Sequence, residues 1–178
     1  MGSERTFGLG DELLTGLAAG DEAAYRQVYD RYGAALFRTA MRLLGSRHDA
    51  EDAVQELFLG AMVRSRHRLR YVADLKAYLF ASLRHETARI ARRHHGTAAI
   101  EDAADDAAHP PDDRDRAEAL WALVRRLPAE QREVLALKTQ GDLTFRQIGA
   151  ACGISPNTAA SRYRYALEKL RRMMETER

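Results

Sequence analysis

Thr144–Met173 reads TFRQIGAACGISPNTAASRYRYALEKLRRM, and its punctuation decides the fold of the C-terminal part of the chain. Thr144 can cap a short helix that follows the breaker Gly141-Asp142. Ile148 and the small Gly149 stand where two helices must approach closely, and Gly153 occupies a turn that wants positive φ. Ile154 plugs the core from that turn. Ser155 is a good N-cap and Pro156 a good first helical residue, so the next helix has a marked start. Along it Ala159, Tyr163, Ala166 and Leu170 recur at helical spacing as the side to bury. The other side presents Asn157, Ser161, Arg164 and Glu168, flanked by Ala160, Tyr165, Arg171 and Arg172. The pattern predicts a helix-turn-helix whose second helix carries groups able to address base edges and phosphates.

Upstream, Leu120, Trp121, Val124 and Leu127 are expected to line one further helix. Pro128 is placed in the first turn of the next, which buries Val134, Leu135 and Leu137. Residues 117–176 therefore form one helical unit. Residues 95–116, HHGTAAIEDAADDAAHPPDDRDR from His94 onward, hold a single large apolar residue, Ile100, and a Pro-Pro pair. Such a stretch cannot bury enough to fold alone and is expected to be a flexible acidic linker. Fully extended, about 22 residues reach roughly 75 Å.

The N-terminal part, 11–94, reads as a second helical bundle. A short helix from Asp11 to Ala19 precedes one from Asp21 to Leu44, carrying Ala24, Val28, Leu36, Phe37, Ala40, Met41 and Leu44. A helix from Asp49 to about Val63 buries Ala50, Val54, Leu57, Phe58 and Ala61, and turns Asp52, Gln55, Glu56 and Leu59 outward. A Leu among acids on an open face hints at a protein-docking surface. The last helix, Asp74 to about Arg93, is expected to bury Leu75, Tyr78, Leu79, Leu83 and Ile90.

Charge alternates along the chain although the formal net charge is only +2. Between Gly60 and His95 nine Arg or Lys face two acids, whereas 101–115 carry seven acids and only Arg114. The C-terminal helix is basic again. Two basic surfaces joined by an acidic connector point to nucleic acid rather than to a uniformly solvated protein. The lone Cys152 forms no internal disulfide, no apolar stretch is long enough for a bilayer, and the first ten residues lack a signal-peptide core. The expected place is the cytoplasm. His85, His94 and His95 lack metal-site spacing, so neither a cofactor nor a metal is expected.

Three segments together resemble a known family. HDAEDAVQELFLGAM is similar to the segment of sigma-70-type initiation factors that docks on the β′ clamp helices of RNA polymerase. DLKAYLFASLRHETARIARRHH is similar to the adjoining −10 segment. LPAEQREVLALKTQGDLTFRQIGAACGISPNTAASRYRYALEKLRR resembles the −35-reading domain. With these parts alone the chain is most similar to the compact extracytoplasmic-function (ECF) group. The resemblance implies an all-α protein with a sigma domain 2 bundle and a sigma domain 4 helix-turn-helix.

It also implies roles for particular residues. Asp49, Asp52, Gln55, Glu56 and Leu59 would dock polymerase, with Phe58 as structural support. At −10, Arg84, Arg89, Arg92 and Arg93 would face the strand, and Tyr71 or Tyr78 would stack on a base. Tyr78 stands where the family commonly has Trp, His85 where it has Asn, and Arg89 where Asp is frequent. At −35, Asn157, Thr158, Ser161, Arg162, Arg164 and Tyr165 would contact DNA. Thr158, Ser161 and Arg162 match a T-x-x-S-R pattern, but Tyr165-Ala166-Leu167 replaces the usual Arg-Ala-Arg. The implied partners are RNA polymerase core (β′ clamp helices and β subunit) and promoter DNA, with an anti-sigma factor as a further candidate. No membrane partner and no enzymatic activity are implied. The alternative is a helix-turn-helix regulator that binds an operator alone.

Overall fold

The computed structural model describes residues 9–94 and 119–176, and every regular element among them is helical. Leu9–Ala19 (α1), Glu22–Leu44 (α2), Arg47–Leu57 (α3) and Leu75–His94 (α4) build the N-terminal unit. Residues 119–125 (α5), Ala129–Thr139 (α6), Phe145–Cys152 (α7) and Pro156–Thr176 (α8) build the C-terminal one. The expected connector, 95–116, lies outside the described residues.

Polar caps set most helix starts. Asp21 accepts from the Ala23 amide at 2.9 Å and opens α2, and Ser46 accepts from the Asp49 amide at 3.3 Å and opens α3. Thr144 and Gln147 form a reciprocal capping box on α7. Asp74 serves two helices at once. Its Oδ1 accepts from the Ala77 amide of α4 at 2.9 Å, and its Oδ2 accepts from Gln147 Nε2 at 2.9 Å.

Two boundaries depart from expectation. The helix foreseen from Asp49 to Val63 is α-helical only to Leu57 and then widens into a π-helical turn, Phe58–Arg64, followed by a 3-10 turn, Arg66–Tyr71. Pro128 sits at the cap position of α6 with φ −51° and ψ 141°, one residue before the helix, because its extended ψ cannot continue a helical turn.

The expected buried stripes of α2, α6 and α8 are inside, with Phe37, Leu44 and Tyr163 half-buried at their edges. The N-terminal core runs through Val28, Leu36, Ala50, Leu57, Phe58, Leu69, Leu79 and Leu83. A small C-terminal core joins Leu123, Val124, Leu127, Leu135, Ala166 and Leu170. Leu120, expected inside, is exposed, and the next turn buries Leu123 in its place.

The units are not separate bodies. Leu79, Phe80 and Leu83 of α4 share one continuous core with Val134, Leu137, Leu143 and Ile148. Phe80 is completely buried although the amphipathic pattern of α4 gave no reason to bury it. The C-terminal unit supplies that reason, since a Cβ built on Gly141 would lie 2.7 Å from Phe80 Cε1. Full burial of one such side chain contributes about 1.5–3 kcal/mol, so this seam is a substantial part of the fold. Lys76 Nζ donates to the Asp142 carbonyl at 2.6 Å, Arg84 pairs with Glu133 at 2.7 Å, and the Arg42 guanidinium lies 3.5 Å above the Trp121 ring.

Candidate nucleic-acid interface

The helix-turn-helix is built as its sequence demands. Gly153 has φ 68°, the left-handed conformation that ends α7, and its amide donates to the Gly149 carbonyl. A Cβ on Gly149 would meet the Ile154 carbonyl oxygen at 2.8 Å, so only glycine lets the turn fold back over α7. Ser155 Oγ accepts from the Thr158 amide at 3.0 Å and fixes the start of α8. Phe145 and Tyr163 rings, 5.7 Å apart, tie α7 to α8.

On α8 the residues 157, 161, 164, 165 and 168 fall on the side opposite Ala159, Ala166 and Leu170, as about 100° of rotation per residue requires. Asn157, Thr158, Arg164 and Tyr165 are exposed, Ser161 is half-exposed, and the Arg164 guanidinium stacks 5.4 Å from the Tyr165 centroid. Arg162 lies elsewhere. It flanks the buried stripe, pairs with Glu130 of α6 at 2.6 Å and keeps only 26% of its side chain exposed. The structure thus brings five of the six expected residues onto one face and turns the sixth back toward α6.

The same separation occurs on α4. His85, Arg89, Arg92 and Arg93 fall within about 60° of Tyr78 around the helix axis, whereas Arg84 falls about 120° from it. His85, Arg92 and Arg93 are exposed; Tyr78 and Arg89 are half-buried, and Arg89 pairs with Glu86 at 2.6 Å. Arg84 faces the C-terminal unit and its partner Glu133. Tyr71, in the 3-10 turn before α4, is 80% exposed, an open aromatic surface available for stacking. Arg66, Arg68 and Arg70 stand exposed on that turn and were absent from the expected contacts. The signal for them was the alternate arginines from Arg64 to Arg70.

The outward side of α3 and of the π-helical turn that follows it carries Asp52, Gln55 and Leu59 exposed, with Glu56 half-exposed and bonded to Arg64 at 3.0 Å. Asp49 differs. Its carboxylate contacts His94 Nε2 at 3.1 Å and is only 18% exposed, so it ties α3 to the end of α4. Phe58 is buried and packs its ring against Tyr25 and Tyr29, with centroids 5.6 and 5.2 Å apart. Burial and the neighbouring Tyr29 push the Tyr25 phenol up from its ordinary value.

Cys152 is half-buried with its Sγ 3.9 Å from Glu133 Oε2. Burial and then the Glu133 carboxylate push the thiol up to about 11, against the opposing pull of Arg84 and Arg162. It is a packing residue rather than a reactive thiol. No group of three or more His, Cys, Asp and Glu side chains that could hold a metal occurs among the described residues. No described helix is long and apolar enough to cross a membrane.

Comparison with known proteins accounts for both halves of this arrangement. Residues 28–97 match the family model for Sigma-70 region 2, and residues 117–170 match the model for Sigma-70, region 4. The ECF RNA polymerase sigma factor SigL of Mycobacterium tuberculosis (strain ATCC 25618 / H37Rv) is 31% identical over 165 residues, spanning 89% of this chain and 93% of that one. ShbA of Streptomyces griseus, another ECF RNA polymerase sigma factor, is 32% identical over 143 residues, 73% of this chain and 74% of that one. The chain belongs to the sigma-70 family, in its ECF group. Two solved structures share the fold. CnrH, solved in complex with the cytosolic domain of CnrY, has a TM-score of 0.72 at 20% identity and covers 95% of this chain and 99% of that one. The sigma factor RpoE of Bartonella quintana, solved with the anti-sigma factor NepR, has a TM-score of 0.65 at 24% identity and covers 86% and 98%.

Proposed function

We propose that this chain is a transcription-initiation subunit that binds RNA polymerase core and directs it to promoters, with the chemistry left to the polymerase and the cytoplasm as its place of action. The observation that carries the reading is the presence, in one ECF sigma-70 chain, of a helix with a basic face and a helix-turn-helix with an exposed polar face. In this reading 11–94 serve core docking and −10 opening, 95–116 connect, and 117–176 read −35.

The arrangement of side chains refines the roles. Asn157, Thr158, Ser161, Arg164 and Tyr165 share one face, which supports their contact with −35 base edges or phosphates. Tyr71, Tyr78, His85, Arg89, Arg92 and Arg93 suit a melted −10 strand by stacking and charge. Asp52, Gln55, Glu56 and Leu59 suit a basic polymerase surface with an apolar centre. Arg84, Arg162 and Asp49 are committed to partners within the chain, and their roles are taken as structural first. The two structural neighbours were solved with CnrY and with the anti-sigma factor NepR, and an anti-sigma partner is part of the proposal.

The test is run-off transcription from genomic fragments with core polymerase, with and without the purified chain. Chain-dependent transcripts from a defined promoter set are expected. Asp52→Arg with Glu56→Arg should abolish core binding and leave duplex binding intact; unchanged core affinity would refute the docking face. Tight duplex binding with no effect of core would favour a solo regulator instead.

A further inference from the structure

A groove of about 550 Å³ runs between α8 and the α5–α6 corner of the C-terminal unit, within the size range of small-molecule sites. Tyr165, Lys169 and Arg172 line it from α8, spaced four and three residues apart and so within about 60° of one another. Arg126 and Gln131 line it from the other side, and Glu168 adds a carboxylate. Three cations against one acid leave the groove positive. Elsewhere the chain neutralises its arginines: Arg64, Arg84, Arg89 and Arg162 each pair with a glutamate. Lys169 and Arg172 pair with no carboxylate among the described residues.

A second observation falls in the same place. Gln131 Oε1 is the only buried side-chain oxygen or nitrogen without a hydrogen-bond partner among the described residues. An acceptor shut away from water and left unpaired is destabilising, so it marks a position where a donor is missing. The terminal torsion of a glutamine is soft, and the amide can swing into the groove it lines. Phosphodiesters offer only acceptors and cannot satisfy it. Glu168 is likewise acceptor-only, so the groove calls for a donor edge as well as for an anion. Tyr165, 51% exposed, adds a ring on which a flat group can stack.

We infer that this groove binds a purine nucleoside di- or triphosphate. Tyr165 stacks on the base, Gln131 and Glu168 accept from its N–H groups, and Arg126, Lys169 and Arg172 hold the phosphates. Guanine is the preferred base, because its neighbouring N1–H and N2–H donors match a carboxylate, whereas adenine offers a single amino group. Tyr165 and Glu168 also lie on the polar side of α8 assigned to −35 DNA, so nucleotide and duplex compete for the same helix. That competition rests on the promoter-reading function proposed above; nucleotide binding itself does not.

The test is isothermal titration calorimetry of the full chain with GTP, ATP, guanosine and tripolyphosphate. GTP is expected to bind with a Kd of about 10–100 µM. ATP, guanosine and tripolyphosphate should each bind about tenfold more weakly or worse, since each lacks one part of the match. Gln131→Leu should weaken GTP about tenfold without lowering the thermal midpoint, because it removes an unpaired buried oxygen. Arg126→Glu, a change at an exposed position, should weaken GTP as well and serves as the second variant. Tripolyphosphate binding as tightly as GTP, or GTP binding unchanged in both variants, overturns the nucleotide site, and ATP as tight as GTP overturns the guanine preference. In fluorescence anisotropy with a promoter duplex, GTP at ten times its Kd should raise the apparent duplex Kd about tenfold for wild type and far less for Gln131→Leu. Undiminished duplex binding at saturating GTP overturns the competition, while a chain that binds GTP but no promoter duplex overturns the proposed function instead.

Discussion

Replacing Gly149 by Ala puts the helix-turn-helix geometry to a quantitative test. The new Cβ would stand 2.8 Å from the Ile154 carbonyl oxygen, 3.3 Å from the Pro156 nitrogen and 3.4 Å from the Ser155 carbonyl carbon. All three are backbone atoms of the turn, so no rotamer change relieves them. Overpacking of this kind costs about 1–3 kcal/mol. Ala is the better helix former by up to about 1 kcal/mol, which offsets part of that. The net expectation is a loss of about 1–2 kcal/mol, or a fall in Tm of about 2–8 °C for a chain of this size. Gly33→Ala in α2 is the control. Its Cβ meets only Tyr29 ring atoms at 3.7 Å, an ordinary contact, so the helix-propensity gain of about 0.5–1 kcal/mol should appear as stabilisation. Thermal and urea unfolding followed by circular dichroism measure both variants. A Gly149→Ala protein as stable as wild type, alongside a normal Gly33→Ala, would refute the claim that the turn closes only over a hydrogen atom.

Two further outcomes are expected. Arg164→Ala should weaken −35 duplex binding by about 1–3 kcal/mol and relax base preference there if the contact is to a base, in contrast to an equal loss on all sequences for a phosphate contact; fluorescence anisotropy over a set of −35 variants separates these. Cys152, with its thiol pushed from 9.0 up to about 11, should react with iodoacetamide at pH 8 about a hundredfold more slowly in the folded chain than in urea. Because the folded pKa lies above the unfolded one, the stability linked to this thiol is complete below pH 9 and declines as pH rises through about 11.

Helix order and the C-terminal motif were legible because they rest on local rules. Asp21, Ser155 and Gly153 each act within a few residues, through a cap or a left-handed turn, and periodicity alone found Ala159, Ala166 and Leu170. What escaped depends on contacts distant in sequence. Phe80 reads as an ordinary helix residue until Gly141 is packed over it, and Arg84 and Arg162 read as DNA ligands until Glu133 and Glu130 are placed beside them. Asp49 looks like a member of the docking face, yet His94 from the far end of α4 draws it inward. The widening of α3 at Phe58 has no residue signature of its own, since Gly60 offers the only local weakness.

The tie between Lys76 and residue 142 is made by a main-chain oxygen. Its partner therefore does not depend on which side chain occupies position 142, provided the residue tolerates a left-handed backbone, as Asp, Asn and Gly do. Substitutions among those three would leave the lysine its acceptor, and Lys76 would have no reason to change in step with them. Evolution can thus alter the charge displayed at this corner, and with it what approaches from solvent, while keeping the fastening intact.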